Sequence, residues 1–160
     1  MVKFPKRVYT TEEVERARRL VESGHRHRLR IKGSLHFQEK VKEVLKFIKT
    51  AEFYSYLRTY IRQIVQIDGF SQLRETEAAI WTNMQLLEDS VEAASFFVQK
   101  ASQMKEFLEG KIYYGGTAEA RSIEKRIEFL KALKTRSKES AVKNECERIL
   151  KKWAESTFVF

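Results

Sequence analysis

The sequence predicts a single all-α domain spanning residues 1–160, with six to seven helices around a central helix. Residues that most often interrupt helices are scarce, since the chain has six glycines and one proline. Apolar residues recur at intervals of three and four over long segments, which places them on one side of a helix. The hydrophobic fraction of 42% is typical of a chain that folds around a core.

Local start and stop signals place the individual helices. Thr10 and Glu13 form a capping-box pattern, and Ser34 is a second helix start. Gly24 and the pair Gly115–Gly116 are expected in connections, because glycine adopts the backbone conformations that end a helix. Helices are therefore expected at about residues 10–24, 34–48, 51–67, 71–109, 117–133 and 138–154.

The connector between the first two helices, residues 25–33, is densely basic. Its cationic side chains are Arg26, Arg28, Arg30 and Lys32. Leu29 and Ile31 alternate with them, so a brief extended segment is expected here, too short to seed a sheet. Cations at this density suit the phosphates of a nucleic acid, where contacts give affinity without sequence choice. The alternative is an ordinary solvated loop.

Composition limits the class of protein further. The formal net charge of +9 favours a polyanionic partner, chiefly nucleic acid, over acidic proteins. Cys146 is the single cysteine, so neither an intramolecular disulfide nor a cysteine-based zinc site is expected. No apolar leader or membrane-length apolar run is present, which predicts a cytoplasmic protein that does not enter a membrane. Abundant Lys and Glu beside two Asn are typical of a thermophile.

Residues 75–99 contain no Lys or Arg, although the chain has 31 of them. On a helix over residues 81–98, apolar residues fall on two opposite sides, which predicts the central helix. The polar stripe between those sides carries three carboxylates, Glu88, Asp89 and Glu92. Mg²⁺ prefers carboxylate oxygens from converging elements, and Glu119 is a candidate from the following helix. The alternative is a solvated face paired with neighbouring cations.

A resemblance to a known family is found in the segment Leu86-Leu87-Glu88-Asp89-Ser90-Val91. This segment resembles the signature helix of ribonuclease III, Glu-Arg-Leu-Glu-Phe-Leu-Gly-Asp-(Ala/Ser)-Val, with Asp89 in place of a metal-binding aspartate. The family's two signature glutamates fall on Thr82 and Gln85, and its glycine falls on Glu88. Downstream, Thr117-Ala118-Glu119-Ala120 is similar in part to the family's second acidic helix, Asp-x-x-Glu-Ala.

The resemblance covers about residues 71–150. It implies the all-α ribonuclease III catalytic fold, without the separate double-stranded-RNA-binding domain, in an intertwined homodimer. The implied partner is double-stranded or structured RNA. Asp89, Glu88 and Glu119 would hold Mg²⁺, with Glu92 assisting, and the metal would activate water and stabilise the leaving oxygen of the phosphodiester.

Because two of the family's signature acids are replaced, several functions stay open. One is Mg²⁺-dependent endonucleolytic cleavage of RNA, and another is a catalytically degenerate relative that binds RNA or scaffolds an RNA-processing assembly. A third is a purely structural helical dimer. Arg19 to His25 and Arg30 to His36 also fit the Arg-x(4–6)-His pattern of the HEPN helical ribonucleases, although exposed histidines are the plainer explanation.

Overall fold

The computed structural model describes residues 3–157, which form six α-helices and a four-stranded sheet. The helices are α1 (Thr11–Glu22), α2 (Leu35–Thr50), α3 (Tyr54–Tyr60), α4 (Ser90–Leu108), α5 (Gly116–Arg136) and α6 (Ser140–Thr157). The strands are β1 (Arg30–Lys32), β2 (Gln63–Gln66), β3 (Gln72–Arg74) and β4 (Ala79–Thr82). The fold is therefore mixed α/β, and the predicted all-α, ribonuclease III-like fold is wrong.

The sheet has the strand order β1-β2-β4-β3. Strands β1, β2 and β4 are parallel, and β3 forms an antiparallel pair with β4. One face carries a row of apolar side chains in register, Ile31, Ile64, Ile80 and Leu73. This face packs against α2 and α4, and its four apolar residues join the hydrophobic core.

The short strands explain why two helix predictions failed. The helix predicted over residues 51–67 stops at Tyr60, and Ile61 is already extended, with φ −112° and ψ 123°. Ile61 and Ile64 are both buried, so their spacing of three is the same as on one face of a helix. In the segment predicted as a helix over 71–109, two strands come first, and the helix begins at Ser90. Ala78 separates these strands in a left-handed turn at φ 52°.

Helix α4 lies at the centre of the helical layer, as its two-sided apolar pattern predicted. It contacts α1, α2, α3, α5 and α6. Its buried apolar residues come from several sides: Val91, Ala93, Ala94, Phe97, Val98, Ala101, Met104 and Leu108. Across residues 3–157, no helix combines the length and apolar character needed to cross a membrane. The sequence also predicts that the short apolar tail Thr157–Phe160 docks on the core or on a partner chain, but residues 158–160 lie outside the described part of the chain.

The junction between β1 and α2 is tightly packed around Gly33. A Cβ atom at this position would lie 2.6 Å from Phe37 Cδ1 and 2.7 Å from Gln66 Oε1. Gln66 Oε1 accepts a hydrogen bond from the Ser34 N–H at 2.9 Å. The Ser34 hydroxyl accepts from the Phe37 N–H at 3.1 Å, which caps α2. The edge of the sheet is thus fixed to the first turn of α2.

Candidate nucleic-acid interface

Residues 25–32 run as an extended segment whose side chains alternate between the interior and solvent. The His27 N–H donates to Arg58 O at 2.8 Å and the Arg30 N–H to Arg62 O at 3.1 Å, so backbone pairing extends beyond β1. The solvent side carries four exposed cations, called the basic row below: Arg26, Arg28, Arg30 and Lys32. Neighbours in the row are about 6.6 Å apart, which is two residues of strand.

The basic row forms one wall of a cleft of about 430 Å³. The other lining residues are Phe4, Lys6, His25, His27, Arg62 and Gln63. No carboxylate lines the cleft, and within residues 3–157 no member of the basic row forms an ion pair with an acid. Unopposed cations in a concave site create a positive potential that attracts polyanions.

Arg62 positions the opposite wall of the cleft. Its guanidinium donates to Pro5 O at 2.8 Å, to Lys6 O at 2.8 Å and to Glu77 O at 2.9 Å. Burial lowers the pKa of Arg62, and the nearby Glu77 partly offsets that effect. The Arg62 guanidinium carbon also lies 5.6 Å from the centroid of the Phe4 ring. Arg62 therefore ties the start of the chain to the sheet and places Lys6 beside the basic row.

Two histidines and Phe4 form the floor of the cleft. His25 Nε2 lies 3.4 Å from His27 Nδ1, and the Phe4 ring contacts both imidazoles. His27 is only 4% exposed, and its Nε2 is a buried atom without a hydrogen-bond partner among the described residues. Burial, followed by the positive charges of His25, Arg62 and Arg58, lowers the pKa of His27 to about 3. His27 is therefore neutral at physiological pH.

Two of the acids predicted for the metal site, Asp89 and Glu92, have structural partners. Asp89 caps α4, because its Oδ1 accepts from the Glu92 N–H at 3.1 Å. Its Oδ2 pairs with Arg148 Nη2 at 3.0 Å. Burial raises the pKa of Asp89, and the neighbouring carboxylate of Glu145 adds to that rise. Glu88 is exposed in the short 3-10 turn that precedes α4.

Glu92 belongs to a polar cluster that joins α4 to α5. Its Oε1 lies 2.6 Å from Arg126 Nη2, and the same guanidinium donates to Ser95 Oγ and Gln99 Oε1. Burial lowers the pKa of Arg126, an effect that Glu92 opposes. The two helices are antiparallel, since Glu92 meets Arg126 while Gln99 meets Ser122 further along.

Glu119 does not approach Asp89. It is exposed on α5, seven residues before Arg126, which is about 10 Å along the helix in the direction away from Asp89. Within the described part of the chain, no three His, Cys, Asp or Glu side chains are placed together to hold a metal ion. Among the residues on the HEPN-like pattern, Arg19 forms an ion pair with Glu15 on α1, and His36 is exposed on α2.

The sequence predicts the basic row but not its partners in the cleft. Phe4, Lys6 and Arg62 come from two other parts of the chain, and neither part has a motif that indicates a site. The one available signal was the alternation of apolar and charged residues over 25–32, which matches the observed alternation of burial. Compared with known proteins, this chain matches no family model, no curated protein and no solved structure.

Proposed function

We propose that this protein binds RNA, with the cleft holding the phosphate backbone and the basic row making the principal contacts. The observation that carries the proposal is a concentration of cations around one cleft whose lining includes no carboxylate. Contacts of this kind position a nucleic acid without reading its bases. The net charge of +9 supports the same class of partner, because it favours encounter with polyanions.

The arrangement of the cations favours a polymer over a small phosphorylated molecule. Four side chains at intervals of about 6.6 Å make a row of about 20 Å. A small phosphate ligand is held by groups that converge on one point, whereas a row can contact several phosphates in succession. Each neutralised phosphate releases counterions, so binding by such a row depends strongly on salt.

Mg²⁺-dependent cleavage is not part of this proposal. Asp89 and Glu92 each have an arginine partner, and neither lines the cleft. A metal would have to displace Arg148 from Asp89 and Arg126 from Glu92 before both carboxylates could coordinate it. The supported function is therefore binding, with the acids stabilising the start of α4 and its contact with α5.

The test measures the affinity for a fluorescently labelled RNA hairpin with a single-stranded tail, at several salt concentrations. In one variant, all four cations of the basic row are changed to Gln. The matched control removes the same charge from exposed positions on α2, α5 and α6, through Gln at Lys42, Lys46, Lys131 and Lys151. We expect the basic-row variant to flatten the slope of log Kd against log salt by up to about 3, roughly 0.7 for each of four phosphates.

The control variant should retain most of the slope, because its charges lie outside the cleft. Equal losses in the two variants would mean that net charge alone drives binding, and the cleft would have no special role. The same assay with Mg²⁺ and gel analysis also tests cleavage. RNA cleavage that requires Mg²⁺ and disappears in Asp89→Asn would overturn the assignment of a binding protein and restore the endonuclease.

A further inference from the structure

The sheet has a second face, which lies opposite the face packed on α2 and α4. Its residues form two rows in register: Arg30, Gln63, Ala79 and Arg74, then Lys32, Val65, Trp81 and Gln72. In the first row Ala79 is fully buried, so the accessible part of this face is the second row, where Val65 and Trp81 are only partly buried and stand outside the hydrophobic core cluster. We call this second surface the open face.

The open face continues the cleft without a change in charge. Arg30, Lys32 and Gln63 belong to both surfaces, because they line the cleft and stand on the open face. Arg74 adds a cation at the far edge of the sheet, and the two rows contain no Asp or Glu. A polyanion that occupies the basic row therefore meets complementary charge if it extends across the sheet.

Trp81 supplies an aromatic surface in the middle of this charged area. Its indole lies in the same row as Lys32, two strands away, which is about 10 Å across the sheet. The Arg74 guanidinium lies 4.3 Å from the ring centroid. A cation thus lies over the indole, and a nucleobase that stacks on this side of the ring takes the place of the guanidinium.

We infer that the open face holds an unpaired segment of RNA, with a base stacked on Trp81 and adjoining phosphates on the basic row. The inference rests on the proposed function and names its substrate class, single-stranded RNA. In a duplex the base faces are already stacked on one another, so a duplex offers no free base to the partly buried indole of Trp81. A sheet face that stacks bases on aromatic residues beside a cationic groove is a recurring way to bind single strands.

The spacing of the cations supports the same choice of ligand. Alternate residues of a strand are about 6.6 Å apart, similar to the separation of neighbouring phosphates in an extended single strand. Such a strand can lie along the basic row and place its bases over the sheet, towards Trp81. Stacking of this kind tolerates any base, so we expect little dependence on sequence.

The experiment compares a twelve-residue oligoadenylate with an RNA duplex of twelve base pairs. The variants are Trp81→Ala, which removes the platform, and Trp81→Phe, which keeps an aromatic ring. The matched control is Trp153→Phe on α6, where the indole packs with Arg126 in the helical layer. Because the chain has two tryptophans, Trp153→Phe also makes Trp81 the sole source of tryptophan fluorescence.

We expect Trp81→Ala to weaken oligoadenylate binding by roughly tenfold or more, the loss typical of one stacked base. The slope against salt should not change, because stacking releases no counterions. Trp81→Phe should recover most of the affinity, and duplex binding should be equal in all three variants. Oligoadenylate should quench the fluorescence of the Trp153→Phe protein.

Unchanged oligoadenylate affinity in Trp81→Ala, or an equal loss for the duplex, would overturn the inference. If Trp81→Ala does not fold, absence of quenching in Trp153→Phe decides against it. The proposed function can survive this failure, because binding that depends on the basic row but not on Trp81 supports the cleft alone. If the unmodified protein binds neither RNA in a salt-dependent manner, both proposals fail.

Discussion

The buried imidazole of His27 should make the protein lose stability as the pH falls below neutrality. In the folded state, its pKa is about 3, held down first by burial and then by neighbouring positive charge. In the unfolded chain, the pKa of histidine is about 6.5. Between these two values the unfolded state binds the extra proton, so the free energy of unfolding decreases as the pH falls. The loss starts near pH 6.5 and continues to about pH 3.

The magnitude follows from the two pKa values. Each pH unit below 6.5 removes about 1.4 kcal/mol from the contribution of His27, so the step from pH 7 to pH 5 removes about 2 kcal/mol. The measurement is urea unfolding at pH 7, 6 and 5 for the natural protein and for His27→Gln, which cannot titrate. Subtracting the two free energies cancels the pH dependence that comes from the carboxylates, because these titrate in both proteins.

We expect the stability advantage of the natural protein over His27→Gln to shrink by about 2 kcal/mol between pH 7 and pH 5. The matched control is His36→Gln, which makes the same chemical change at a histidine that is exposed on α2. A constant difference for His27→Gln would refute the reasoning. It would mean that the pKa of His27 in the folded protein is close to that of a histidine in an unfolded chain.

Three further outcomes follow from the packing. Glu92→Gln leaves the Arg126 guanidinium buried without its carboxylate. The free energy of unfolding, measured in urea, should fall by about 3 kcal/mol. This is the low end of the range for a buried ion pair, because Glu92 keeps some exposure. Gly33→Ala places a methyl group against the side chains that close the β1–α2 junction and should cost about 1–3 kcal/mol by thermal unfolding. Gly69→Ala should cost far less, because a Cβ there meets only Ile67 Cδ1, at a van der Waals distance of 4.0 Å. Asp89→Ala should lower the free energy of unfolding by about 1 kcal/mol, because the cap of α4 is lost. Asp89→Asn should keep most of this stability, since asparagine also caps helices. Equal losses in the two variants would exclude a capping role.

The sequence predicted features whose signal is local. The capping box of Thr10 and Glu13 is present at the start of α1, with both reciprocal hydrogen bonds formed. Cys146 falls on the apolar side of the helix predicted over residues 138–154, and in the structure it is buried on α6, which raises the pKa of its thiol to about 11. These features depend on residues within one or two turns of one another, so a single segment contains all the information needed.

Features that depend on distant partners were missed or misassigned. Glu92 appeared to belong to an acidic stripe because Arg126, which neutralises it, is 34 residues away in the chain. Strands of three or four residues contain too few alternations to reveal a period of two, and their apolar residues also fit a helix. Trp81 was placed on the central helix for this reason, and only pairing between strands puts it in a row with Lys32.

Strand β1 lies at the edge of the sheet, and no other strand formed by residues 3–157 pairs with its outer backbone groups. Such an edge is a template for pairing with another copy of the chain, and charged side chains are a common protection. The basic row therefore has a second effect, since two copies brought edge to edge would repel each other. Variants that neutralise this row should therefore lose colloidal stability, and, under the proposed function, affinity for RNA as well, so both properties would depend on the same four side chains.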